Sequence, residues 1–228
     1  MEKKQYELCL EVLSRFQKSG ILKGFILIGS WAAYFYKDYF GQVPYHFALK
    51  TRDMDFLINE PVRFIREVNI PELLKDLGFV TVFKGTKGYI KLDHPDLILE
   101  FLIPEKGKGS DKPYPLPKLG VNAIPLRFLS LLSSNTIKVR VEDLDITLPH
   151  PVNFALHKLI IFQRRLKEDK AIKDRNSAIE ILQALIARGD RSSIKRIYDL
   201  LPKKWQNKVV TGLKDAEEKE ILDILLAR

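Results

Sequence analysis

Asp53 and Asp55 are the residues of this chain whose type and spacing most directly suggest chemistry. They sit in Lys50-Thr51-Arg52-Asp53-Met54-Asp55-Phe56-Leu57-Ile58, a stretch that reads as a strand because β-prone apolar residues dominate after Met54. Side chains two apart on a strand share a face. The two carboxylates therefore project together, and Met54 and Phe56 point the other way. Like charges about 4 Å apart repel by roughly 1 kcal/mol in water and about 4 kcal/mol at a protein-like dielectric. A divalent cation between them offsets that repulsion, and Mg²⁺ is held in this way by one or two carboxylates plus substrate phosphates. For an isolated Asp-x-Asp the plainer reading is a solvated strand end, so the rest of the chain has to decide.

Two further stretches bear on it. Phe25-Ile26-Leu27-Ile28 reads as a buried strand and runs into Gly29-Ser30, then into a helical Trp31-Ala32-Ala33-Tyr34-Phe35-Tyr36 with Ser30 near its N-cap. A helix start after a small-residue turn offers free backbone N–H groups to an anion. Glycine lets the backbone approach a phosphate, and the serine hydroxyl can add a hydrogen bond. Leu97-Ile98-Leu99-Glu100-Phe101-Leu102-Ile103 is apolar except for Glu100. Glutamate is almost never fully buried unless paired, and an ionised carboxylate alone in an apolar site is too costly to persist. Glu100 is therefore expected at an exposed strand edge, or against a metal or a basic group.

The supporting elements follow from periodicity. Residues 3–19 read as an amphipathic helix on Tyr6, Leu10, Leu13 and Phe16, stopped by Gly20. Residues 38–49 read as a connection, and 61–77 as one or two short helices with Pro61 in the first turn. Residues 79–83 and 89–92 form a hairpin candidate, 105–118 a long basic loop, and 121–124, 137–141 and 144–148 further strands. Pro149-His150-Pro151 marks a boundary beyond which the pattern is helical: 152–166, 175–188, 191–200, 203–213 and 215–227. The expected fold is α/β: a mixed sheet flanked by helices in residues 1–150, followed by a helical domain in 151–228.

Charge supports an anionic partner. The formal net charge is +9 (38 basic, 29 acidic). Residues 151–228 carry 17 basic and 11 acidic side chains, so the excess concentrates in the helical part. The single cysteine, Cys9, excludes an intrachain disulfide and a cysteine-built zinc site, which fits a reducing, cytoplasmic setting. No signal-peptide core and no apolar run approaching ~20 residues is present, so no membrane partner is expected. No serine or cysteine comes with a convincing histidine partner for nucleophilic catalysis.

Together, Gly29-Ser30, Asp53, Asp55 and Glu100 make a phosphate cradle plus three carboxylates, the parts needed for phosphoryl or nucleotidyl transfer. In this they resemble the nucleotidyltransferase superfamily, whose pattern is a strand ending in Gly-Ser or Gly-Gly, a helix, an h-D-x-D-h strand and a third carboxylate on a neighbouring strand. The layout is similar to the AbiEii-type group, often linked with toxin–antitoxin and phage-defence systems. The resemblance covers most of 24–175. It implies Mg²⁺ or Mn²⁺ on Asp53, Asp55 and Glu100, a nucleoside triphosphate such as ATP as substrate, and Glu100 as metal ligand or as base for the acceptor hydroxyl. The acceptor it implies is RNA, protein or a small molecule. Segment 151–174 is similar to that group's helical region, where a lysine helps hold the nucleotide. Lys158 matches that lysine, and Asp174 a later acidic position. Lys158 and Arg165, seven apart, would share one helix face toward triphosphate or nucleic acid, the alternative being a solvated basic face. His157 reads as structural. Two departures stand out: the long gap from Gly29 to Asp53, and glutamate where many relatives carry aspartate. The rival reading is a catalytically silent fold of this type that binds nucleotide, nucleic acid or a partner protein.

Overall fold

A computed structural model describes residues 3–49, 51–58, 67–105, 107, 109 and 112–227. Lys50, the expected helix start at Pro61 and part of the basic loop lie outside the described residues. The chain divides into two units, residues 1–35 with 48–149, and residues 36–47 with 150–228.

The first unit opens with α1 (Lys3–Lys18), whose Cys9, Val12, Leu13 and Phe16 are buried at helical spacing. β1 (Phe25–Ile28) is buried at all four positions and leads into α2 (Gly29–Phe40). β2 (Asp53–Ile58) alternates at its start: Asp53 and Asp55 are half-buried, while Met54 and Phe56 are fully buried. A short α3 (Ile70–Leu74) is capped by the Asn69 side chain, which accepts from the Glu72 N–H at 3.2 Å. β3 (Val80–Lys84), β4 (Tyr89–Asp93), β5 (Ile98–Pro104), β6 (Tyr114–Leu116) and β7 (Val121–Leu126) follow. The segment expected as one loop over 105–118 thus contains a strand and, at Pro117–Leu119, a 3-10 turn. A four-residue α4 (Ser130–Ser133) precedes the β8 (Thr136–Val141) and β9 (Leu144–Pro149) hairpin.

The sheet order is β1-β2-β5-β4-β3, with β7 pairing β5 and β6 pairing β7. β2 and β5 are parallel neighbours, and the remaining pairs of the main path are antiparallel, so the sheet is mixed. One face carries the core. Phe25, Phe56 and Phe101 stand in adjacent strands with Phe16 of α1 against them, ring centroids 5.3–5.8 Å apart. The opposite face carries the charged residues described below.

The second unit holds α5 (Pro151–Ile161), α6 (Glu168–Ala187), α7 (Arg191–Asp199), α8 (Lys203–Asp215) and α9 (Lys219–Leu226). α5 starts with proline in its first turn, and the His150 Nδ1 accepts from the Val152 N–H at 3.3 Å. α5 is buried nearly all round, so it is this unit's central helix. It stops at Ile161, in a 3-10 turn over Phe162–Arg164, earlier than the apolar pattern suggested. α6 begins at Glu168, seven residues before the expected start. Its first two turns are largely exposed, and no buried apolar stripe marks them; Glu168 and Asp169 at its N-terminus complement the helix dipole instead. Residues 36–47 belong with this unit, and the ring of Tyr36 packs on Phe154 at 5.5 Å. Among the described residues, no helix is long and apolar enough to cross a membrane.

Candidate active site

The strand register assembles the three expected carboxylates on one sheet face. β2 pairs with β5 in parallel so that Asp55 lies opposite Glu100 and Asp53 opposite Ile98. Directly opposed residues share a face, and neighbouring strands run about 4.8 Å apart. Asp53, Asp55 and Glu100 thus line one surface of two adjacent strands. β5 is interior to the sheet, so the exposed-edge option for Glu100 is ruled out. Its side chain is only 14% exposed.

Gly29 closes this surface on the β1 side. β1 pairs antiparallel with β2, placing Ile28 opposite Asp55. Gly29 follows with φ +70°, a left-handed conformation that costs non-glycine residues about 1–2 kcal/mol. A Cβ built on Gly29 would meet Asp55 Oδ2 at 2.6 Å. The absence of a side chain at position 29 is thus what lets the Asp55 carboxylate lie against the turn. Ser30, half-buried, lies in the first turn of α2 rather than at its cap.

Glu100 meets a basic group. Lys91 of β4, 17% exposed, is ion-paired with Glu100 Oε1, and Lys84 of β3 lies 3.7 Å from the same oxygen. Burial acts to lower the Lys91 pKa. Hydrogen bonding and charge attraction from Glu100, with the charge of Asp53, outweigh it and hold the ammonium above its ordinary value. One residue pair further along, Arg52 Nη2 donates to Asp93 Oδ1 at 2.9 Å. Lys91 and Asp93 escaped the sequence reading because charged residues alternating with Ile90 and Leu92 look like a solvated strand face. The available signal was that alternation itself, on a strand that hairpins beside an apolar one.

Among the described residues, no three histidine, cysteine, aspartate or glutamate side chains are gathered as a ready metal-binding set. The donor chemistry nevertheless suits Mg²⁺. The oxygens are hard carboxylate oxygens, the missing side chain at Gly29 lets the Asp55 carboxylate lie against the turn, and a cation, the Lys91 ammonium, already stands at Glu100 within electrostatic reach of Asp53.

Lys158, Arg165 and Asp174 converge within the second unit. Both cations are ion-paired with Asp174, with Arg165 Nε donating to Oδ2 at 2.6 Å. Lys158 lies 5.4 Å from the Phe154 ring centroid. The two cations do not share a helix: α5 ends at Ile161, and Arg165 follows the 3-10 turn with extended backbone. Asp174 brings them together from α6. Burial acts to raise the Asp174 pKa, but the two cations outweigh it, and the net direction is down. Its folded pKa lies below the unfolded one, so its stabilisation is present above the unfolded value near 3.9 and is lost as pH falls through the folded value. Asp174→Ala should cost about 3 kcal/mol in a denaturant titration at neutral pH, because it leaves the 12%-exposed Lys158 without its counter-ion. Asp174→Asn should recover part of that loss.

His157 is buried beside this cluster in sequence, and neither ring nitrogen has a hydrogen-bond partner. Burial, helped by the Lys158 charge, lowers its pKa to about 3. Below the unfolded value near 6.5 the unfolded chain takes up a proton that the folded chain refuses until about pH 3. Stability should therefore fall on acidification, by on the order of 1 kcal/mol between neutral pH and about pH 5.5. His157→Leu should flatten that part of the stability–pH curve and leave the protein at least as stable at the acid end. A wild-type slope unchanged in the variant would show that the proton goes elsewhere.

Solved structures align with most of this chain. The crystal structure of ANT(2″)-Ia in complex with adenylyl-2″-tobramycin matches at 12% identity over 86% of this chain and 99% of that one, with a TM-score of 0.47. An antigenic nucleotidyltransferase-like protein from Paracoccidioides brasiliensis matches at 15% identity over 96% and 92%, with a TM-score of 0.48. Comparison with curated protein sequences finds no match. The family model described as Nucleotidyltransferase matches residues 7–200, a span that holds the Gly29-Ser30 turn, the carboxylate face and the Lys158–Asp174 cluster. On that match, this chain belongs to the nucleotidyltransferase family, whose members move a nucleotidyl group from a nucleoside triphosphate.

Proposed function

We propose that the protein transfers a nucleoside monophosphate from an NTP, ATP among the candidates, to a hydroxyl acceptor on RNA, protein or a small molecule, breaking the α–β phosphoanhydride bond and releasing pyrophosphate, with Mg²⁺ or Mn²⁺ as cofactor. The observation that carries this is the β2–β5 register, which sets Asp55 opposite Glu100 and Asp53 on the same face, beside a turn without a side chain at Gly29.

Asp53 and Asp55 would hold the metal, with Glu100 as third ligand or as base. When bound, the ion neutralises triphosphate charge and orients the phosphoryl centre for in-line attack. The chain's own groups do the rest. The backbone N–H groups at the start of α2 are directed along the helix dipole and can hold phosphate oxygens, with the Ser30 hydroxyl adding a donor. Glu100 can accept the proton of the attacking hydroxyl. The aromatic face behind the strands keeps Asp53 and Asp55 at fixed positions, because Met54 and Phe56 between and after them are locked in the core. We assign Lys158 and Arg165 a supporting role in anion binding by the second unit, in keeping with its basic excess.

The test is incubation of the protein with Mg²⁺, labelled NTPs and an acceptor panel of tRNA, total protein and polyhydroxylated small molecules. Metal-dependent labelling of one acceptor class supports the proposal. Absence of labelling, together with an NTP affinity that ignores added Mg²⁺, argues against it. The engagement of Glu100 by Lys91 favours one second reading, a fold that binds nucleotide or nucleic acid without turnover. RNA binding that falls steeply with salt and is indifferent to Asp55→Asn would favour that reading.

A further inference from the structure

We infer that Lys91 is an internal counter-ion of the site, exchanging between Glu100 in the nucleotide-free protein and the nucleotide's phosphates once a divalent cation occupies the carboxylates. The inference rests on the proposed metal reading of Asp53, Asp55 and Glu100.

Three observations lead to it. First, β4 runs antiparallel to β5 with Leu92 opposite Leu99, which brings Lys91 beside Glu100 on the face that also carries Asp55. Second, the Glu100 oxygen is held by Lys91 and approached by Lys84, and the charge of Asp53 also reaches Lys91. Third, Glu100 so held is not gathered with the aspartates into a three-ligand set.

A carboxylate cannot serve a tight ammonium partner and a divalent cation equally well. Binding a cation at Glu100 requires Lys91 to give way, because two positive charges on one half-buried carboxylate repel at low effective dielectric. A lysine stem is long and flexible, and its ammonium is a point charge suited to phosphate oxygens. The incoming NTP supplies the anions that Lys91 would lose by leaving Glu100. Metal and nucleotide would then bind with positive coupling: the nucleotide removes the competitor from the metal's third ligand. Lys91 would thereby act as a positioning residue for Glu100 and as a phosphate contact.

The experiment compares wild type, Lys91→Met and Lys91→Met/Glu100→Gln by calorimetric titration. Each is titrated with Mn²⁺ alone, and with a non-hydrolysable NTP in the presence of Mn²⁺. Lys91→Met should bind Mn²⁺ alone at least tenfold more tightly than wild type, yet bind the nucleotide several-fold more weakly. The Mn²⁺ gain should vanish in the double variant. A purely structural lysine would not move the two affinities in opposite directions. The exchange is also readable in wild type by ¹³C-methylation of lysines, the Lys91 resonance being assigned by its loss in Lys91→Arg. That resonance should shift further with Mg²⁺ plus nucleotide than with Mg²⁺ alone, which decides the matter even if Lys91→Met does not fold. Unchanged Mn²⁺ affinity in a folded Lys91→Met, or a gain that persists without Glu100, or a resonance that ignores nucleotide, overturns the inference. A wild type that binds Mn²⁺ with nucleotide but shows those results loses only the role of Lys91. A wild type that binds no Mn²⁺ even with nucleotide loses the metal reading as well.

Discussion

Asp53→Ala and Asp55→Ala should each reduce nucleotidyl transfer by about 10³-fold or more while leaving the protein folded. The expected size follows from the several kcal/mol of charge stabilisation that a metal supplies to phosphoryl chemistry; about 4 kcal/mol corresponds to a thousandfold in rate. The preserved fold follows from position. Both carboxylates are half-buried on the face of β2 that opposes the aromatic core, so their removal opens no cavity among Phe16, Phe25, Phe56 and Phe101. The check is a paired measurement of label transfer and thermal unfolding. An Asp55→Ala protein that is folded and still turns over at wild-type rate would sink the assignment.

Gly29→Ala should damage both stability and activity, and a matched control separates the two. The substitution forces a non-glycine residue to φ +70° and puts a methyl group 2.6 Å from Asp55 Oδ2. Backbone strain alone costs about 1–2 kcal/mol. Gly20 has a similar φ of +79° but nothing within 4 Å of its would-be Cβ. Gly20→Ala should therefore show the strain cost in a denaturant titration and retain activity. Gly29→Ala should show at least that cost and in addition lose activity by a hundredfold or more, because the methyl group displaces the Asp55 carboxylate. Equal activity in the two variants would mean that the closeness of Gly29 to Asp55 has no catalytic role.

What could be read from the sequence, and what could not, divides along one physical line. Local patterns were legible. Phe25–Ile28 is uniformly apolar and uniformly buried, and Asp53–Ile58 shows the alternation that sets two aspartates on one face. Glu100 stood out because six apolar neighbours made its burial a problem that needed a partner. Pairing between distant segments was not legible. Asp55 and Glu100 stand opposite each other because β2 and β5 are parallel neighbours, a fact set by tertiary packing and absent from either stretch alone. The Glu100 partner is Lys91, which reads in sequence as an ordinary solvated lysine. The same limit explains Lys158 and Arg165. Their spacing of seven suggested one helix, but the backbone leaves the helix at Ile161, and it is Asp174 from α6 that brings them together. The long gap between Gly29 and Asp53 also has a structural account: residues 36–47, within it, pack with the helical unit.

The central claim is that Asp53 and Asp55 hold a divalent cation on which a nucleoside triphosphate is positioned for transfer. The most direct measurement is a crystal structure of the protein with Mn²⁺ and a non-hydrolysable NTP, with the metal located by its anomalous signal. The account predicts a peak in direct ligation distance of both aspartate carboxylates and of a phosphate oxygen, with the triphosphate against the Gly29-Ser30 turn. A bound nucleotide with no metal at Asp53 and Asp55, or with its phosphates away from that turn, would contradict it.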